Sequence, residues 1–599
     1  MNSWFARRII DLINAIVNLY YRRKYGALAK QLGRPRVSER RGRRFLLIQI
    51  DGLSHKHLRQ ALRGGYMPYL RQMIDDGSLN LAPWRCGVPS TTPAVQAGFM
   101  FGNRYDIPGF RWYEKDRHVP MLVKRPDQVR EIRARISKGR EGILEGGSCY
   151  VSIFDGDASL ALFTLSTLGR HRFFESVRGM GLFLLFLFSP FRLIRLMGLS
   201  LATYLGSVVR RLTEKAGPSV FHRWDIFSPL FHAVSDSLLS EVQTFGVMLD
   251  IYRDMPAIFA NYNTYDEVAH VMGADHPAAF RALRRIDKRI QQIDRMRARF
   301  QERAYDLYLI ADHGNSASVP FSWRHGRTLG EHIAAAVGSG VSVDERIGGE
   351  EDHSTVKKRY LLDELENIGR GSKRLQNMGR VVRGYIDRQA RRQALSLRDL
   401  DYDLDRQEDV VVSASGPLAH VYLNVSPLAL DLIEVFVLYP QLFDALLTAE
   451  GVGALIGRAG DRTVVLGFRG GVLVLDGKID LLSGPNPLAP YGDVEHGVRQ
   501  IHRLAHFPHS GDLILLGGVE PDGRMVSFEE QVSTHGGLGG PQEEPFIAWP
   551  PARPLSPYEL DDALDLYRYF YEQYRVRRAA DLDRVADGLS EGVEKGQSG

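Results

Sequence analysis

Residues 43–52 read RRFLLIQIDG. Between two arginines and Asp51 stand six residues of which only Gln49 is polar. A short unbroken apolar run is the pattern of a strand covered on both faces, as in a parallel sheet, and not of a half-exposed strand that alternates. It leaves a carboxylate at the strand's carboxyl end. Similar runs recur as AIFANYNTYDEVAH (257–270), YDLYLIADHG (305–314), AHVYLNV (419–425), TVVLGF (463–468), GVLVLD (471–476) and DLILLGG (512–518). Helical stretches lie between several of them, such as 57–77 and 277–304. Alternating strands and helices predict an α/β sandwich with a mostly parallel central sheet flanked by helices.

The chain of 599 residues exceeds the ~250–300 at which single cores stop growing, so more than one structural unit is expected. Two cysteines, Cys86 and Cys149, supply neither a disulfide framework nor a zinc–thiolate site. There are no internal repeats, no Gly-rich phosphate loop and no zinc-finger spacing. The net charge of +6 is concentrated in two places. Residues 1–44 carry twelve Arg and Lys against Asp11 and Glu39, and residues 170–215 carry eight against Glu175 and Glu214. The remainder is net acidic, so the overall basicity is no argument for a polymeric nucleic-acid partner.

Both basic segments are also apolar. In 4–24, Phe5, Ile9, Leu12, Ile13, Ile16 and Tyr20 share one helical face. Asp11 and the asparagines argue against a signal peptide, so an amphipathic helix lying in a lipid interface is expected. The second segment, 179–211, has apolar runs of 13 and 14 residues separated by Pro190, Arg192 and Arg195. Each run is shorter than the ~20 residues a spanning helix needs, which predicts a hydrophobic helical hairpin dipping into one leaflet. Flanking positive charge places this contact at the cytoplasmic face. The expected organisation is a membrane-binding segment at 1–44 and catalytic body at 45–165, 217–316 and 410–576. The hairpin falls at 166–216, a charged insert or cap at 317–409, and a polar tail at 577–599.

Acidic and histidine residues gather where the predicted strands end: Asp51, then Asp266 and His270, then Asp312 and His313, with His535 in STHGGLGG near the end of the body. In open α/β sheets ligands bind beyond the carboxyl ends of the strands. Singly each residue reads as a cap or a loop polar group. Jointly they supply donors for two metals, with Thr92 of PSTTP (89–93) completing one set. Glycines around His535 favour it over His353, in the unpatterned stretch, and His420, inside a strand.

The order IDG, PSTTP, DEVAH, ADHG, THGG resembles the alkaline phosphatase superfamily, and within it the type I phosphodiesterase/nucleotide pyrophosphatase branch. The resemblance spans about 45–165, 245–316 and 410–550 and leaves out the basic apolar segments. It implies a metal-dependent phosphoric ester hydrolase with two divalent ions, zinc foremost and manganese or magnesium as alternatives. It assigns Asp266, His270 and His535 to one ion, and Asp51, Asp312, His313 and the oxygen of the nucleophile Thr92 to the other. Thr92 is chosen over Thr91 because the family's nucleophile precedes a glycine by ten residues, and that glycine is Gly102.

Two departures qualify the resemblance. Diesterase relatives carry an asparagine on the loop after the nucleophile helix, where this chain has Tyr113, so Arg111 and Tyr113 become candidate substrate-binding residues. The sulfatase branch is excluded by the absence of its Cys/Ser-x-Pro-x-Arg pattern. A phosphoester substrate, lipid-linked at a membrane surface, is expected. The alternatives are a phosphomonoesterase or phospho-group transferase of the same superfamily, and a catalytically degenerate membrane scaffold.

Overall fold

The computed structural model describes residues 43–168, 227–300, 304–338, 341–347, 409–468 and 470–576. The expected helix at the N-terminus, the hairpin at 179–209 and the tail at 577–599 lie outside the described residues. Among the described residues no helix is long and apolar enough to cross a membrane.

The run that opens the body is the strand Arg44–Ile50, central in a seven-stranded sheet. It pairs in parallel with Ala257–Tyr262 on one side and Tyr305–Ile310 on the other. Phe45, Leu46, Leu47, Ile48 and Ile50 are at most 1% exposed, which is why the run does not alternate. Each such side chain contributes roughly 1.5–3 kcal/mol by leaving water. Ser148–Ser152 and Leu160–Thr164 extend the parallel part. Antiparallel Phe546–Trp549 and Asn80–Pro83 close the other edge.

The runs at 419–425, 463–468, 471–476 and 512–518 are strands, but they belong to a second sheet. It has eight strands, and apart from the parallel pair Val343–Arg346 with Val410–Ser415 its neighbours are antiparallel. Part of the expected insert is therefore body. The strand Ser316–Pro320 from its second residue on, the helices Phe321–His325 and Leu329–Val337, and Val343–Arg346 fall within it, while 348–408 lies outside the described residues. The helix Phe227–Arg253, expected to belong to the body, falls in a separate compact unit; the body resumes after Asp254.

The helix Thr92–Phe101 packs into the core against the central sheet, with Phe99 on Phe259 at 5.9 Å between ring centres. Small residues on it let the helix Ala563–Phe570 approach closely: a Cβ at Gly98 would stand 2.7 Å from that of Ala563. Gly102 ends the helix at φ 62°, with Tyr567 filling the space a side chain would need.

Candidate active site and metal centre

Three parallel strands deliver carboxylates to one rim. Asp51 follows Arg44–Ile50, Asp312 follows Tyr305–Ile310, and Asp266 sits in the first turn of the helix Thr264–Met272 after Ala257–Tyr262. A small three-stranded sheet brings the fourth part. Ser533–Thr534 pairs with Ser316–Pro320, which sets His535 beside the 312–316 segment.

The rings of His313 and His535 stack at 3.7 Å, and His270 lies 5.0 Å from His535. His270 Nε2 is 3.2 Å from Asp266 Oδ2. His313 Nε2 is 3.6 Å from Asp51 Oδ1 and 3.5 Å from Asp312 Oδ2. Thr92 opens its helix with Oγ1 3.1 Å from His313 Nε2 and 3.5 Å from Asp51 Oδ1. The fold thus gathers Asp51, Thr92, Asp266, His270, Asp312, His313 and His535.

Each histidine has Nδ1 against a backbone carbonyl: His270 on Ser533 O at 2.8 Å, His313 on Gly314 O and His535 on Ser90 O, both at 2.9 Å. A carbonyl only accepts, so the Nδ1–H donates and Nε2 is left as the ligating nitrogen, the usual arrangement of metal-binding histidines. Asp312 Oδ2 is buried without a hydrogen-bond partner. Oxygen and imidazole donors with an orphaned carboxylate oxygen fit divalent metal ions. Among the described residues, ligand atoms of Asp51, Asp312 and His313 lie within 4.8 Å of one another, and so do those of Asp266, His313 and His535. His313 is within reach of both sets, whereas the family resemblance assigned it to one.

The electrostatics match this crowding. Burial, then the nearby Asp312 and Asp266, push Asp51 well above the usual carboxylate range. Burial also raises Asp312. Burial opposes ionisation of Asp266, but His270, His535 and His313 together hold its carboxyl well below the usual range. Burial and then His313 hold His535 well below the ordinary imidazole value.

Arg111 and Tyr113 have other occupations. The Arg111 guanidinium donates to Glu529 at 2.8 Å in a buried ion pair. Tyr113 lies in the core, edge-on to Tyr422, with its hydroxyl 3.2 Å from His118 Nδ1. Sequence reasoning passed over three supporting residues. Asn261 Nδ2 donates to Asp51 Oδ2 at 2.8 Å, and Asn315 Nδ2 donates to Asp266 Oδ1 at 2.7 Å. The Ser90 hydroxyl donates to Gly537 O and accepts from Gly536 N–H, at 2.9 and 3.0 Å. Asn315 lies two residues past His313 and Ser90 two before Thr92, and this proximity was the available signal.

No protein-family model matches the chain, and no curated protein matches it. Among solved structures, phosphonoacetate hydrolase from Sinorhizobium meliloti 1021, in complex with phosphonoacetate, is similar at 13% identity with TM-score 0.40, over 89% of this chain and 96% of its own. Murine ectonucleotide pyrophosphatase/phosphodiesterase 5 is similar at 10% identity with TM-score 0.43, over 88% of this chain and 94% of its own.

Proposed function

We propose that the chain is a metal-dependent phosphoester hydrolase of the alkaline phosphatase superfamily, of the phosphodiesterase/nucleotide pyrophosphatase type, with Thr92 as nucleophile. One observation carries the reading. The Thr92 hydroxyl stands at a helix N-terminus against His313 and Asp51, among three histidines whose Nε2 atoms are all left for ligation.

Asp266, His270 and His535 would hold one ion, and Asp51, Asp312, His313 and Thr92 the other. The bound ions, zinc by this donor set with manganese or magnesium as alternatives, supply Lewis-acid stabilisation of the charge that develops on phosphoryl and leaving oxygens. The chain does the rest. Thr92 Oγ1 gives up its proton to solvent and attacks phosphorus in line. The bond to Oγ1 forms as the ester P–O bond breaks, the leaving oxygen takes a proton from solvent, and water then cleaves the phospho-threonine to restore the hydroxyl. Pro93 has no N–H, so the first helical turn offers the amides of Thr92 and Ala94 to phosphoryl oxygens.

The enzyme acts at a membrane surface, at the cytoplasmic face, on a lipid-linked phosphoester. The support is the basic, apolar character of 1–44 and 179–211. The test is a panel of phosphomonoesters, nucleotide diesters and phospholipids, offered to zinc-, manganese- and magnesium-loaded protein and to Thr92→Ala. Turnover of phosphoesters by wild type alone is expected; equal turnover by Thr92→Ala would overturn the nucleophile. Rapid turnover of nucleotide diesters, with preference unchanged on deleting 179–209, would overturn the membrane-linked substrate.

A further inference from the structure

Asn315 is fully buried, and its amide nitrogen makes two hydrogen bonds, to Gly52 O at 2.9 Å and to Asp266 Oδ1 at 2.7 Å. Both partners only accept, which fixes the nitrogen's place without ambiguity. Gly52 follows Asp51 directly, and its own N–H donates to Asp312 Oδ1 at 3.3 Å. One glycine is thereby tied to the Asp51–Asp312–His313 set through its N–H and, by way of Asn315, to Asp266 of the other set. The joint has no slack. Gly52 has φ +70°, and a Cβ there would stand 2.0 Å from Asp266 Oδ1 and 2.6 Å from Asn315 Nδ2. Asn261, by contrast, donates to Asp51 alone of the seven.

We infer that Asn315 is a positioning residue that couples the two donor sets, so that an ion held by one set favours an ion in the other. The inference rests on the two-metal reading above. Both hydrogens of one NH2 group are committed, so an Asp266 carboxylate drawn into a single orientation also fixes the Gly52 carbonyl. The same peptide turn carries Asp51 and steadies Asp312. Partners of this kind, one step out from the metal, change affinity by ~10–100-fold when removed. Asn315 differs from an ordinary outer partner in that its loss weakens one set and also uncouples it from the other.

The test is the equilibrium binding of Mn²⁺ and of Zn²⁺ to the metal-stripped full chain, followed by calorimetry, for wild type, Asn315→Ala and Asn261→Ala. Thermal melts of the metal-free proteins check that each variant folds. Wild type is expected to take up two ions with the second favoured by the first. Asn315→Ala is expected to bind two ions independently, the overall affinity down ~10–100-fold. Asn261→Ala is expected to weaken one site and keep the coupling. Should Asn315→Ala fail to fold, Asn315→Leu, similar in shape but without donors, gives the same readout. Coupling that survives in a folded Asn315 variant overturns the inference alone. A wild type that takes up no pair of ions overturns the two-metal reading together with it.

Discussion

Thr92 Oγ1 lies 3.1 Å from His313 Nε2, whereas the hydroxyl of Thr91, one residue earlier, is buried without a hydrogen-bond partner. Thr91 begins the helix through its backbone, and its side chain makes no capping bond. The two adjacent hydroxyls therefore have different surroundings, and only that of Thr92 faces the donor cluster.

Replacing each threonine separates them. Thr92→Ala is expected to lower phosphoester turnover by on the order of 10³-fold or more, as loss of a nucleophile does. Thr91→Val keeps shape and removes a hydroxyl that bonds nothing, so turnover should stay within several-fold. Steady-state kinetics on one substrate checks both, and a collapse in Thr91→Val with full activity in Thr92→Ala would reverse the assignment.

Ser90 joins the segment that carries Thr92 to the loop that carries His535. Ser90→Ala leaves Gly536 N–H and Gly537 O without this partner, at a cost of about 1–3 kcal/mol. Urea unfolding should show that loss, and metal affinity should drop by roughly tenfold as His535 loosens. Ser90→Thr, which keeps a hydroxyl, should recover part of both.

Close packing of two helices depends on Gly98. Gly98→Val would drive a Cβ to 2.7 Å from the Ala563 Cβ and is expected to cost about 1–3 kcal/mol by overpacking. Adding Ala563→Gly should restore part of the melting temperature, because the two sites share the contact.

His420 makes acid stability a test of the second sheet. Its Nε2–H donates to Pro108 O at 3.0 Å and its Nδ1 accepts from Gly511 N–H at 3.1 Å, so the neutral ring is the one that fits. Burial lowers its pKa from the ordinary 6.5 to about 4. The unfolded chain therefore binds this proton first as pH falls. The contribution is intact above pH 6.5 and is lost progressively down to about 4, to a total of roughly 3 kcal/mol. In His420→Gln, unfolding free energies at pH 7 and pH 4.5 should differ by less than in wild type. An equal acid loss in both would remove His420 from the account.

Much of the architecture was legible because it was local. The strand at 44–50 announces itself by an unbroken apolar run, and its double burial is the cause. Which sheet a strand joins is not local, and the runs after 418 gave no sign that they form a second, antiparallel sheet. Residues 317–346 look like insert in sequence because strands of four or five residues between short helices carry no countable period. That Asp51, Asp266, His270, Asp312, His313 and His535 would lie together was legible from strand ends and the end of the body, and that Thr92 would join them from PSTTP and the family resemblance. Their supports were not. Asn315 and Ser90 look like ordinary turn residues, and their partners Gly52 and Gly536 stand 263 and 446 positions away. Only position along a loop marks Arg111 and Tyr113 in the sequence, and position does not reveal that Glu529 and His118 engage them.

The central claim is that Thr92 Oγ1 attacks phosphorus. The most direct measurement is tandem mass spectrometry of metal-loaded wild type, acid-quenched during turnover of the best substrate in the panel. A phosphorus-containing adduct on Thr92, absent from Thr92→Ala, is the predicted result. Active enzyme that carries no adduct, or carries it on another residue, would contradict the account.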